Sequence, residues 1–108
     1  VEAAVSPTWH LYLVRTRDGR LYTGIATDVE RRLTEHAGGG ARGAKALRGR
    51  GPLCLEYRRP IGDRALASRA ETRIKRLARR DKERIVATRP SAARLLRELG
   101  LAGVDPLD

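Results

Sequence analysis

Two runs near the start of the chain, residues 9–15 (WHLYLVR) and 20–26 (RLYTGIA), are rich in aromatic and branched side chains and flank Arg17, Asp18 and Gly19. This pattern predicts a β-hairpin. Because strand side chains alternate between faces, the length of the turn decides which residues share a face. A two-residue turn at Asp18-Gly19 would place Tyr12 and Tyr22 on opposite faces. A three-residue loop, with Gly19 left-handed in a bulge, would pair Thr16 with Arg20, Val14 with Tyr22 and Tyr12 with Gly24. Both tyrosines would then share a face, with space opposite Tyr12 where Gly24 has no side chain.

The period then changes. Asp28 is a good N-cap, and a short helix through His36 is predicted. Counting i, i+3, i+4 and i+7 from Val29 gives Val29, Arg32, Leu33 and His36 as the stripe facing the sheet, with Arg31, Thr34 and Glu35 facing elsewhere. A charge on such a stripe is costly unless it is paired, lines a cleft, or reaches water along its own stem. Residues 53–59 (LCLEYRR) predict a third strand ending before Pro60. Asp63 then caps a helix of about four turns. Its apolar face is Leu66, Ala67, Ala70, Ile74 and Leu77, and Arg69, Arg73, Arg76 and Arg80 form a basic stripe on the other side. Glu71 lies between Ala67 and Ile74 at the edge of the apolar face. It is either a functional carboxylate aimed at the protein or half of an ion pair with a neighbouring Arg. A helix from Asp81 to about Ala87, and a Ser91-capped helix stopped by Gly100, complete an α+β chain.

At 108 residues a single domain is expected, and its core is built from Leu, Ala, Val and Ile without Phe or Met. The formal charge of +10 is unevenly placed. Residues 1–40 hold five basic and five acidic side chains and residues 85–108 hold three of each, whereas residues 41–84 hold fifteen basic and five acidic. A concentrated basic stretch is the footprint of a polyanion partner, since each neutralised phosphate releases condensed counterions. Residues 37–51 carry six Gly and four basic residues, which suits a cationic loop gripping a strand. The span from Gly38 to Lys45 lacks the Gly-Lys-Ser/Thr of a phosphate loop and follows a helix, so no nucleotide cofactor is expected. Cys54 is the only cysteine, which excludes an internal disulfide and a cysteine-based zinc site and leaves Cys54 as a small strand hydrophobe. No apolar run approaches the ~18 to 20 residues of a membrane span and no signal-peptide layout opens the chain, so no membrane partner and a cytoplasmic location are expected. His10 and Trp9 read as structural, with base stacking the other role open to an exposed Trp9.

Tyr12, then Tyr22-Thr23-Gly24, then Arg32 and His36 on one helix face, then Glu71 on a later helix together resemble the GIY-YIG nuclease superfamily, in particular its small stand-alone bacterial members. The resemblance covers residues 9 to about 85. It departs from the family where the Gly-Ile of the first motif is His10-Leu11, and where Ile25 stands at a position that carries lysine in some branches. The chain also has no asparagine. Lys45 or Lys82 would be the substitute for these. The resemblance implies a three-stranded antiparallel sheet flanked by helices over residues 9–87, with residues 88–108 as a C-terminal helix and tail. It implies hydrolysis of phosphodiester bonds at a site made of Tyr12, Tyr22, Arg32, His36 and Glu71. Glu71 would hold one Mg²⁺ or Mn²⁺, and Arg32 would neutralise the scissile phosphate. Tyr22 would orient or activate water, with help from a positive charge because a free phenol titrates near 10. His36 would bind phosphate or protonate the leaving oxygen. A single inward carboxylate argues against a two-metal mechanism. The expected activity is a metal-dependent endonuclease on nucleic acid, DNA ahead of RNA. The alternative is a non-catalytic binding module in which Arg42, Lys45, Arg48, Arg69, Arg73, Arg76 and Arg80 grip phosphates. A protein-binding domain is a third reading.

Overall fold

The hairpin takes the longer turn. In the computed structural model, which describes residues 7–37 and 52–101, β1 (Trp9–Arg15) and β2 (Leu21–Ala26) pair antiparallel, with Tyr12 opposite Gly24 and Val14 opposite Tyr22. The Thr16 amide donates to the Arg20 carbonyl at 2.9 Å, and the Gly19 amide to the Thr16 carbonyl at 2.9 Å. Gly19 sits at φ +87°, a left-handed conformation that glycine adopts without the Cβ penalty. The Thr16 hydroxyl donates to the Asp18 carboxylate within the turn. Tyr12 and Tyr22 therefore project from the same face.

β3 (Cys54–Gly62) pairs antiparallel with the other side of β1, giving the order β2-β1-β3. The strand does not stop before Pro60. It runs on to Gly62, with Pro60 opposite His10 and a register shift between Trp9 and His10. An edge strand tolerates a residue without an N–H because one side of its backbone has no partner strand. Cys54, expected as a small hydrophobe of the strand, is exposed at its start.

α1 (Val29–Ala37) begins where the Asp28 carboxylate accepts from the Arg31 amide at 3.0 Å. α2 (Arg64–Lys75) begins where Asp63 accepts from the Leu66 amide at 2.8 Å. With 12 residues α2 makes a little over three turns, not four. Arg76 is its C-cap, and Arg80 belongs to α3 (Arg79–Thr88), so the expected four-arginine stripe is split between two helices. α4 (Ala92–Glu98) is capped by Ser91, which accepts from the Arg94 amide at 3.2 Å.

The sheet is the middle layer between two apolar clusters. On the tyrosine face Tyr12, Val14 and Ala26 meet Val29 of α1. On the other face Leu11, Leu13, Tyr57 and Ile61 meet Ala67, Ala70 and Ile74 of α2, Ile85 of α3, and Leu95 and Leu96 of α4. The described part of the C-terminal segment is therefore packed into the domain core. Arg15 ties β1 to β3 and α3 by donating to Glu56 at 2.7 Å and to both Glu83 oxygens at 2.9 and 2.8 Å. α2 packs chiefly against β2 and β1, and α1 lies against β2 from the other face. The β2 edge is thus flanked by a helix on each side, and the candidate site forms there.

Candidate active site at the edge of the second strand

Tyr12 is 1% exposed and His36 is 3% exposed. The Tyr12 hydroxyl lies 3.0 Å from His36 Nε2, a buried polar contact inside the tyrosine-face cluster. The Tyr22 ring meets the same imidazole edge-on, with centroids 6.0 Å apart. Burial pushes the Tyr12 phenol up to about 12, reinforced by Tyr22 and opposed by the Arg32 guanidinium. Burial, aided by the positive charge of Arg32, holds the His36 imidazole below its ordinary value. His36 is therefore neutral near pH 7 and sits within the protein beside both phenols. In this arrangement its Nε2 meets the Tyr12 hydroxyl.

The accessible members of the set lie nearer the surface. Arg32 donates to Glu35 at 2.8 Å. Glu35, expected to face elsewhere, curls back one turn to this guanidinium and also lies 3.6 Å from Arg31. Among the described residues a second carboxylate, Glu35, thus lies beside Arg32, engaged by arginines. Glu71 is 21% exposed and its ion-pair partner is Lys75 at 3.4 Å, an i,i+4 neighbour on α2, rather than an Arg. The Lys75 ammonium also stands 5.9 Å from the centre of the Tyr22 ring. The Glu71 charge adds, after burial and Tyr22, to what raises the Tyr12 phenol. Among the described residues no three His, Cys, Asp or Glu side chains gather as a metal cluster, so a metal here would rest on Glu71 with other ligands from substrate and water.

Arg64, Ser68, Glu71 and Lys75 recur at helical spacing along the flank of α2 that faces β2 and α1. Arg69, Arg73 and Arg76 lie along the opposite flank, where Arg73 donates to the Leu99 carbonyl at 2.7 Å behind α4. The expected basic stripe thus faces away from Glu71. Arg42, Lys45 and Arg48, and the glycine-rich loop containing them, lie outside the described residues. Of the two lysines considered as substitutes, Lys45 is also outside them, and Lys82 is on α3, which packs chiefly against β3. Among the described residues the lysine beside Glu71 and the Tyr22 ring is Lys75. Its signal in the sequence was its i+4 spacing from Glu71.

Between α1 and α2 a cleft of about 430 Å³ opens beside the site, walled by Trp9, Ile25, Arg31, Arg32, Glu35 and Arg64. The Arg64 guanidinium covers the Trp9 ring at 5.2 Å from its centre. Trp9 is half-buried, packed against the larger core on one side and lining the cleft on the other.

Comparison with known proteins gives the family. The GIY-YIG catalytic domain family matches residues 8–84. The chain is 57% identical over 91 residues to the UPF0213 protein YhbQ of Escherichia coli O8 (strain IAI1), covering 84% of this chain and 89% of that protein. It is equally similar to the protein of the same name from Shigella boydii serotype 18. The solution NMR structure of the UPF0213 protein BH0048 from Bacillus halodurans matches with 41% identity and a TM-score of 0.49, covering 75% of this chain and 84% of that one. With the paired tyrosines on one face, the Arg-His helix beside them and Glu71 across the strand edge, the chain belongs to the GIY-YIG family, among the small bacterial UPF0213 proteins.

Proposed function

We propose that the protein is a metal-dependent endonuclease that hydrolyses phosphodiester bonds of DNA, with RNA as a second substrate class. The observation that carries this reading is the convergence of Tyr12, Tyr22 and His36 on one sheet face with Arg32 and Glu71 at the same strand edge. Of the five, Tyr22, Arg32 and Glu71 are the groups placed to touch a strand, and Tyr12 and His36 form the buried support behind them.

The donor chemistry suits Mg²⁺ or Mn²⁺, because Mg²⁺ is commonly held by one or two carboxylates together with substrate phosphate and water. Bound at Glu71, the ion would supply Lewis-acid polarisation of the phosphate. The Arg32 guanidinium offsets the negative charge that grows on the phosphoryl oxygens as water attacks. Glu35 holds that guanidinium from behind, so less of its side-chain freedom is lost when the strand binds. The Tyr22 hydroxyl orients the attacking water. Tyr12 fixes the position of the His36 ring, and the His36 ring fixes Tyr22 by edge contact.

Arg69 and Arg76 are exposed on the flank of α2 away from Glu71. They support strand retention independent of cutting, and they keep a non-catalytic binding module as the second reading. Incubation of the full chain with plasmid and single-stranded DNA in Mg²⁺, Mn²⁺ or EDTA, beside Glu71→Ala, separates the two. Metal-dependent cleavage that Glu71→Ala abolishes, with DNA binding retained, is expected. Cleavage that survives EDTA or the substitution rules out the metal mechanism, and binding without cleavage in either metal establishes the binding module.

A further inference from the structure

We propose that the cleft between α1 and α2 is a nucleotide subsite. A base seats on the Arg64–Trp9 pair, and the phosphate attached to it lies between Arg31 and Arg32, next to the bond to be cut. The ligand assignment rests on the nuclease reading, since Arg32 belongs to both the cleft and the candidate active site.

The cleft has two chemically different ends. One is flat: the Trp9 indole with the Arg64 guanidinium over it at 5.2 Å from the ring centre, beside the Ile25 side chain. Guanidinium and indole planes are the two side-chain surfaces best suited to stacking a base, and such stacking tolerates any base because each has a π face. The other end carries Arg31 and Arg32 one after the other on the first turns of α1, both lining the cleft. The acidic side chains of the cleft are both engaged, Glu35 by these same two arginines. Asp28 caps α1 through the Arg31 amide at 3.0 Å, and Glu35 holds Arg32 at 2.8 Å. A flat base at one end and an anionic phosphate at the other is the pattern of one nucleotide unit. The volume, about 430 Å³, lies in the ~300 to 1,000 Å³ range of ligand clefts. A base seated there is turned out of the stack of its neighbour, so the strand enters the site with at least one base unstacked beside the scissile phosphate.

Trp9 is the only tryptophan, so emission excited at the red edge of the indole band, beyond the absorption of the three tyrosines, reports on this cleft. The measurement uses Glu71→Gln in EDTA, which prevents cutting. It compares a short oligothymidylate with an abasic oligomer of equal length, reading Trp9 emission together with the anisotropy of an end label. Both oligomers are expected to bind, with only the base-bearing one quenching Trp9. Arg64→Lys, which keeps the charge and removes the plane, should weaken the oligothymidylate by roughly five- to twentyfold, within the range measured for stacking on a side chain, and leave the abasic oligomer within twofold. Equal quenching by the two oligomers, binding without quenching, or equal loss of both in Arg64→Lys would overturn the subsite. Selective quenching in a chain whose wild type never cuts with Mg²⁺ or Mn²⁺ would support the subsite and refute the nuclease reading.

Discussion

Gly24 is the position where the smallest change should do the most damage. A Cβ built on Gly24 overlaps Tyr12 Cζ and Oη and comes within 2.9 Å of Cε1. The Tyr12 ring cannot retreat easily, because it is 1% exposed and its hydroxyl is held at 3.0 Å from His36. Overfilling a packed site costs ~1 to 3 kcal/mol, and parting a buried hydrogen bond adds ~1 kcal/mol. Opposing this, alanine in a strand gains ~0.5 to 1 kcal/mol over glycine through the unfolded chain. The net expectation for Gly24→Ala is a loss of ~1 to 3 kcal/mol, each of which lowers the melting temperature of a domain this size by ~4 to 8 °C. Urea unfolding followed by circular dichroism measures it. The decisive comparison is the same substitution in a Tyr12→Ala background, where the obstructing ring is gone and Gly24→Ala should be neutral or stabilising by ~0.5 kcal/mol. An equal cost in both backgrounds, or no cost in either, would show that Tyr12 does not occupy the space left by Gly24.

The remaining predictions concern charge and buried polar groups. Because the folded chain holds His36 below its ordinary 6.5, the unfolded chain binds that proton first; stability should be fully present above about pH 6.5 and decline as acid is added, with the decline reduced in His36→Gln when urea midpoints are compared. Tyr12 and Tyr57, both raised by burial from 10.0 to about 12, should act in the opposite direction, with stability held below pH 10 and lost between 10 and 12 in the same series. Lys75→Ala removes the ammonium 3.4 Å from Glu71, and Mn²⁺ binding followed by electron paramagnetic resonance should tighten about twofold, the size of an exposed ion pair of ~0.5 kcal/mol; unchanged or weaker binding would contradict it. Tyr57→Phe removes the donor lying 2.6 Å from the Pro90 carbonyl, which keeps Arg59 Nε at 3.0 Å, so a loss of ~1 kcal/mol is expected and a loss above ~3 kcal/mol would mean that the hydroxyl holds more than this one contact.

Periodicity made the larger elements legible before any coordinates. Trp9 to Arg15 and Leu21 to Ala26 alternate as strands, and Val29, Arg32, Leu33 and His36 recur as one helix stripe, so the tyrosines, Arg32 and His36 could be placed on faces. The choice between turns was not legible, since a two-residue and a three-residue loop satisfy the same local signal at Asp18-Gly19. The end of α2 was misplaced because Leu77 continues the apolar period after the helix has ended. Its amide donates to the Ile74 carbonyl at 3.0 Å in a tighter final turn, and the side chain still packs on the core. Pro60 signals a strand end in the sequence, whereas in the fold it marks a sheet edge. Glu35 was placed by the direction of its Cα–Cβ bond, yet a side chain of its length reaches a partner one turn away. Arg64 and Lys75 went unrecognised for a different reason. A helix flank acquires meaning only when the neighbouring element is known, and for α2 that neighbour is the edge of β2.

The three-residue turn between Thr16 and Arg20 sets a rule of parity for any descendant of this chain. Substitutions at Arg17 and Asp18 leave the strand register alone, because the loop needs only its length and a left-handed residue at Gly19. Insertion or deletion of one residue there would swap the two faces of β2, turning Tyr22 toward the larger core and Ile25 toward α1 while every other residue stayed the same. The sheet could be rebuilt around such a chain, but the phenols could not meet His36 together. Lineages of this domain should therefore vary freely in the composition of the turn while conserving its number of residues.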